Sequence, residues 1–346
     1  MHLADFDYEL PPERIAQTPV EPRDSARLLV DRGVEAPSHR HVRDLADILR
    51  PGDLLVVNDT KVMPARLPLQ RATGGAAEVL MLEPLDGSRT TWEALIRPAK
   101  RLKPGEVLHS PSGTPIVEIG ERTEAGDTFV VRLVGSDDSF EILDHHGEMP
   151  LPPYITERLA DPDRYQTIYA REPGSAAAPT AGLHFTDDLL SRLGSKGVET
   201  ARVELVVGLD TFRPITEDDP LRHRMHTERY RVPPVTMERC RAATRVVAVG
   251  TTTVRALESA AATGELDGRT DIFIHRGFDW RVVDLMLTNF HLPRTTLLMM
   301  IDAFVGDRWR QLYDEALRER YRFLSFGDAM LLDRTLPVGT PAGTAR

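Results

Sequence analysis

Cysteine is almost absent: Cys240 is the only one in 346 residues. No internal disulfide can form, so a reducing compartment, the cytoplasm, is the expected setting. One thiolate cannot build an iron–sulfur cluster or a multi-cysteine zinc site, and the eleven histidines include no HExxH pair. The expectation is no structural or redox metal. Long apolar runs are missing as well. The longest, LLMMIDAF at 297–304, is broken by Asp302 and falls short of the roughly 20 residues of a membrane span. The opening MHLADFDYELPPE has no basic stretch followed by an apolar one, so no secretory signal is expected. Three common loops are lacking too: GxGxxG for dinucleotides, GxxxxGKS/T for phosphates, and the GxSxG serine elbow.

Positive charge is in deficit, with a net charge of −10, which argues against nonspecific nucleic-acid binding. The deficit is uneven. Residues 61–103 hold eight basic and four acidic side chains, and 104–160 hold three basic and eleven acidic ones. A charge run is usually a solvated face, but a basic segment in an acidic chain also points weakly to a phosphate-bearing partner.

What is present reads as about two domains. HVRDLADILRPGDLLVVNDT (41–60) is a helix ended by Pro51-Gly52, followed by the short buried strand DLLVV. From 61 to 154 short β-rich runs (AEVLMLEP, TTWEALIR, TPIVEIG, TFVVRLV) alternate with turn residues, with no helix of convincing length. That block reads as a small β-barrel inserted between α/β segments. Afterwards TDDLLSRLGSKG is a helix capped by Thr186, TARVELVVG a strand, RVVAVGTTTVRALESAAATG a strand–turn–helix, and TDIFI another strand. DRWRQLYDEALRERYRF is an amphipathic helix. The expected division is an α/β first segment at 1–60, the barrel at 61–154, an α/β second segment at 155–335 and a loose tail at 336–346.

Five stretches could carry chemistry. GSAAAPTAGLHFTDDLL (174–190) is small and neutral until His184 and Phe185. With Pro179 and Thr180 it suits a flat ligand lying against the backbone, and equally suits a tight packing loop. VGTTTVRALE (249–258) sets Thr251, Thr252 and Thr253 at a helix start, where hydroxyls and free N–H groups suit an anion. Arg255 there opposes the helix dipole, so either an anionic ligand or a carboxylate of the protein should meet it. HRMHTERY (223–230) places His226 and Glu228 two apart, which suits an acid–base pair or a salt-bridged loop. TNFHLPRTTLL (288–298) offers Asn289, His291 and Arg294, and LVVNDTKVMPARL (55–67) puts Asn58, Asp59 and Arg66 at the barrel mouth. Asp59 there could equally cap a turn.

Taken in order, ADFDYELPPERIAQTPVEPRDSARLLV, GDLLVVNDTKVMPARL, LPPYI, RYQTIYA, GSAAAPTAGLHFT, GLDTFRP, MHTERY, AVGTTTVRALES, TDIFI, LTNFHLPRTTLLMM and FGDAML span nearly the whole chain. They closely resemble the S-adenosylmethionine:tRNA ribosyltransferase-isomerases of queuosine biosynthesis. The resemblance implies a mixed α/β fold: a discontinuous main domain with an inserted six-stranded antiparallel β-barrel. It implies S-adenosylmethionine as ribosyl donor and substrate, no bound cofactor and no metal. The implied acceptor is tRNA carrying 7-aminomethyl-7-deazaguanine, handled by a cytoplasmic monomer without a membrane. The catalytic candidates are His184 first, then His226, Glu228 and His291. The substrate-binding candidates are Asn58, Asp59, Arg66, Pro179, Thr180, Phe185, Thr251, Thr252, Arg255, Asn289 and Arg294. The sequence departs from the family pattern at Asp210, where Gly is usual, at Asp302, where Ser is usual, and at Phe326, where Tyr is usual. A catalytically silent tRNA-binding relative and an enzyme acting on a free base are the alternatives.

Overall fold

The computed structural model describes residues 1–336 except 125, 136–138, 209–214, 216, 224 and 226. Among the described residues there are seventeen strands and seven α-helices. The chain opens with β1 (Arg27–Val30), β2 (Ser38–His41), α1 (Leu45–Ile48), β3 (Asp53–Asn58) and β4 (Thr60–Val62). Six strands follow: β5 (Arg66–Arg71), β6 (Ala76–Pro84), β7 (Thr91–Arg97), β8 (Val107–His109), β9 (Pro115–Arg122) and β10 (Phe129–Leu133). The remainder is α2 (Ser139–His146), β11 (Glu172–Ser175), α3 (Asp187–Ser195), β12 (Glu199–Leu205), β13 (Glu228–Arg231), α4 (Pro234–Ala242) and β14 (Arg245–Val249), then α5 (Thr251–Thr263), β15 (Asp267–Thr270), β16 (Leu285–Asn289), α6 (Thr296–Val305), α7 (Arg308–Arg318) and β17 (Ala329–Asp333).

Nine strands form one mixed sheet in the order β15-β13-β12-β3-β14-β16-β17-β1-β2. Its centre, β12, β3, β14 and β16, is parallel. Parallel strands with helices over both faces must be apolar on both faces, which is why LLVV (54–57) and VVAV (246–249) are unbroken apolar runs. Leu54, Val56, Val246, Ala248 and Met286 pack with α4 to α7 on one side. Leu55, Val57, Val247, Val249, Leu285 and Leu287 pack with α1 and α3 on the other.

Strands β5 to β10 close an antiparallel barrel in the order β10-β7-β6-β5-β8-β9, as the resemblance implied. The fully buried Trp92 sits in its core, which draws residues from Met63 to Leu143. The chain leaves the main sheet just past the end of β3 and returns through β11, which pairs in parallel with β4. The barrel therefore hangs on a two-strand neck at the carboxyl edge of the parallel strands. Among the described residues no helix is long and apolar enough to cross a membrane.

Three local expectations are corrected. The 61–154 block does contain a helix, α2, whose Ile142 and Leu143 join the barrel core. The 41–50 helix is a 3₁₀ turn at Val42–Asp44 and a single α-helical turn, because Leu49 is already extended. TDIFI is a strand only at its first residue. Its partner β13 begins at Glu228, opposite Thr270, and the Ile272 N–H turns to the Thr270 hydroxyl instead. Asp302, the departure from the family's Ser, is buried and accepts from both Arg276 (2.5 and 3.0 Å) and the Trp309 indole (3.0 Å). It ties the loop before β16 to α6 and α7. Phe326 packs edge-on against Tyr165 with ring centroids 5.9 Å apart. Asp210 lies outside the described residues.

Gly147 marks where the chain leaves α2 for the neck. A Cβ there would lie 1.8 Å from the Pro64 carbonyl oxygen, a backbone atom with no room to retreat. Gly147→Ala should therefore lower stability by roughly 1–3 kcal/mol, the usual cost of overpacking. Urea unfolding followed by circular dichroism checks this; an unchanged midpoint would refute it.

Candidate active site

Parallel α/β sheets bind ligands where the carboxyl ends of their strands splay apart. The main cleft of this protein lies there. Its empty space is about 690 Å³ when the open mouth is included. Three segments build it: 177–181 after β11, 250–252 after β14, and 288–292 at the end of β16. Tyr154 and Tyr165 close it from the segment after the barrel, and Ser325 from the turn before β17. Among the described residues no Asp, Glu, Lys or Arg lines it.

The positions of these segments follow from short-range bonding. Ser175 Oγ donates to the Ala177 carbonyl at 2.7 Å and accepts from the Val207 N–H at 3.2 Å, locking the neutral loop to the end of β12. Gly250 has φ +86°, a region glycine alone enters freely, and this lets β14 turn directly into α5. With no side-chain cap there, the first N–H groups of α5 stay open towards the cleft. The buried Thr252 hydroxyl beside them has no hydrogen-bond partner.

Asn289 is held at three points. Its oxygen accepts from the Thr180 hydroxyl (3.0 Å), and its nitrogen donates to the Asp328 carbonyl (3.3 Å) and to His184 Nε2 (3.1 Å). The Asp328 carbonyl can only accept, so it fixes which way the amide points. His184 Nε2 is then the acceptor and its proton sits on Nδ1. Burial, with Arg322 and Arg23 nearby, pushes the His184 imidazole down to about 4 and keeps it neutral. His291 lines the cleft itself, with Nε2 3.0 Å from the Thr288 hydroxyl, and burial pushes it down to about 4 as well.

The sequence candidates therefore separate into groups. Pro179, Thr180, Thr251, Thr252, Asn289 and His291 line the cleft. His184 stands behind Asn289, facing a smaller pocket shared with Arg23 and Phe326. Glu228 and Arg255 form a buried ion pair beside the cleft, and Glu228 also accepts from the Gly208 N–H at 2.9 Å. His226 lies outside the described residues. Phe185 is fully buried in the core against Tyr169 and is not brought to the cleft. Asn58 spends its amide on the backbone of Leu205 and Thr60, stapling β3 to β12. Asp59 lies 3.4 Å from Arg202, and burial lifts its carboxyl above the ordinary range despite that cation. Arg66 donates to the Leu151 carbonyl at 3.3 Å, in the neck. Arg294 is exposed and paired with Asp7. Residue-level reading missed Tyr154, Tyr165, Thr288 and Ser325; the first two lay in the LPPYI and RYQTIYA stretches. Among the described residues no cluster of three or more His, Cys, Asp or Glu could hold a metal.

A neutral cleft at the carboxyl edge of parallel strands, with a barrel hung beside it, defines a two-part α/β enzyme. This chain belongs to the queuosine biosynthesis protein family, whose profile matches residues 3–332. It is 51% identical over 344 residues to the S-adenosylmethionine:tRNA ribosyltransferase-isomerase of Symbiobacterium thermophilum, covering 96% of this chain and all of the relative. The enzyme of the same name from Synechococcus elongatus is 49% identical, covering 97% and 98%. The crystal structure of an S-adenosylmethionine tRNA ribosyltransferase from Thermotoga maritima superposes with a TM-score of 0.54 at 38% identity, covering 94% of this chain and 99% of that one.

The two buried histidines make stability depend on pH. Below about 6.5, their ordinary value, the unfolded chain takes up protons that the folded one refuses until about 4. Stability is thus fully present above that window and lost as pH falls through it. The melting temperature should drop between pH 6.5 and 4, and His184→Gln with His291→Gln should flatten the drop. A slope unchanged in the double variant would disprove this origin.

Proposed function

We propose that this enzyme transfers the ribosyl moiety of S-adenosylmethionine to 7-aminomethyl-7-deazaguanine at the tRNA wobble position. The products are epoxyqueuosine-tRNA, adenine and methionine. The cleft carries the reading: the family-matching loops 177–181, 250–252 and 288–292 converge there, in a chain half identical to relatives of that name. Among the described residues its lining is uncharged, which fits a nucleoside and leaves a sulfonium electron-poor, so that it acidifies the neighbouring ribose methylene.

His291 takes that proton. It is neutral at pH 7, so one ring nitrogen carries a free lone pair, and its Nε2 lies 3.0 Å from the Thr288 hydroxyl. Adenine then leaves, taking up that proton, the aminomethyl nitrogen attacks, and the carbon–sulfur bond breaks as the epoxide closes, releasing methionine. Asn289, fixed by Thr180, His184 and Asp328, orients the nucleoside, so His184 acts through Asn289 as a positioning residue. The tRNA docks along the barrel. Arg97, Lys100, Arg101 and Lys103 are exposed around the turn that follows β7, and none makes an ion pair among the described residues. They are free for backbone phosphates.

The test is incubation with S-adenosylmethionine and tRNA carrying the aminomethyl base, with mass spectrometry of the digested tRNA and assay of released adenine. Epoxyqueuosine with equimolar adenine is expected. Turnover of the free base in preference to tRNA would favour a small-molecule enzyme, and tRNA binding without either product a silent relative. In the same assay His291→Ala should lower kcat at least about 100-fold, the usual contribution of a general base. Lys100→Glu with Arg101→Glu should raise the KM for tRNA about tenfold and weaken its salt dependence, leaving kcat alone. Wild-type values in either variant would remove that role.

A further inference from the structure

Arg255 is buried, with 6% of its surface exposed, and its guanidinium is only half used. Glu228 of β13 takes Nη1. Nε and Nη2 are buried and have no hydrogen-bond partner. These two nitrogens form the edge with which a guanidinium grips a carboxylate through two parallel hydrogen bonds. The chain uses that same edge three times elsewhere: Arg71 on Glu106, Arg245 on Asp53 and Arg276 on Asp302, each through Nε and Nη2. Only on Arg255, among these four, is it empty. Two desolvated donors without an acceptor are costly, and a cation in the early turns of a helix adds to the cost. Glu228 offsets the charge without filling the edge.

Arg255 lines a side pocket with Met225, Ile272, Phe273, Leu297 and Met300. Leu297 also lines the main cleft, so the two spaces adjoin at the start of α6. Apart from Thr296 the remaining walls are apolar, and among the described residues no second Lys or Arg lines the pocket. The nearby helix start is already capped, since Thr295 accepts from the Leu298 N–H. One planar two-donor edge at the end of an apolar pocket fits a single carboxylate on an aliphatic or thioether chain, and suits a phosphate poorly.

We infer that Nε and Nη2 of Arg255 bind the carboxylate of an α-amino-acid tail whose nucleoside end occupies the main cleft. This rests on the donor reading above and deepens it: Arg255 selects donors that carry the carboxylate, and Glu228 is the residue that aims Arg255. The free edge therefore acts in donor recognition, and proton transfer lies elsewhere in the site.

The experiment is calorimetric titration of wild type and Arg255→Lys with S-adenosylmethionine and with its decarboxylated analogue, the same sulfonium nucleoside lacking only the carboxylate. Circular dichroism confirms that both proteins are folded. Wild type should prefer the carboxylate form by roughly 10- to 100-fold, the range for a charged hydrogen-bonded pair. Arg255→Lys keeps the charge and loses the fork, so its preference should fall to within about threefold. Equal wild-type affinities, or a full preference retained by Arg255→Lys, would overturn the carboxylate site while leaving the donor reading intact. A wild-type protein that binds neither nucleoside would overturn the donor reading, and this assignment with it.

Discussion

Burial of the central parallel strands on both faces is the constraint on which the rest depends. Leu54 to Val57 of β3 are all at most 3% exposed. Each such side chain contributes about 1.5–3 kcal/mol relative to exposure. Because alternate residues point into separate cores, β3 cannot slip by one position without exchanging both faces at once. The register of β12 and β14 against β3 is therefore fixed, and with it the level at which their carboxyl ends stop. The loops that build the cleft begin at those ends.

The polar groups at the cleft are held by the same economy. Asn58, fully buried, spends its amide on the backbone of β12 and the first residue of β4, so the strand that begins the neck is tied to the sheet. Asn289 does the corresponding work at the end of β16, but on side chains and a turn, and it faces the cleft. The two asparagines end strands of the same sheet that flank β14 and differ in use because one is sealed under the barrel neck and the other borders open space. The barrel keeps its own core around Trp92, separate from the two cores of the sheet. Across the gap the Arg269–Glu83 ion pair, 2.6 Å, joins β15 to β6. Both side chains are partly solvated there, so the pair adds little to stability and serves to orient.

Much of this was legible in the chain. The run DLLVV meant a short buried strand, RVVAV the strand of a strand–turn–helix, and the alternating β-rich runs with turn residues a barrel. The Thr186 cap announced α3, and its hydroxyl does accept from the Leu189 N–H at 3.2 Å. The neutral loop at 174–183 and the Thr251–Thr252 turn were recognisable as unusual chemistry, and both line the cleft. Composition and local spacing suffice for such features because they are set by residues close together in sequence.

Other features depended on contacts across the chain. Phe185 lies one residue from His184, yet it turns into the core while His184 meets Asn289, 105 residues away. Arg255 and Glu228 are 27 residues apart, and whether the arginine met a protein carboxylate or a ligand was undecidable from sequence. In the fold Glu228 takes one nitrogen and the edge beside it stays open. Asp302 looked like a departure near the site, and tertiary packing buries it under Arg276 and Trp309. Sequence alone determined the apolar central strands β3, β12 and β14, the β-rich block that closes as the barrel and which loops are chemically odd, because periodicity and local propensity encode those. Only the tertiary structure decided which polar side chains face the cleft and which are spent on the protein, because that is settled by partners brought together from distant parts of the chain.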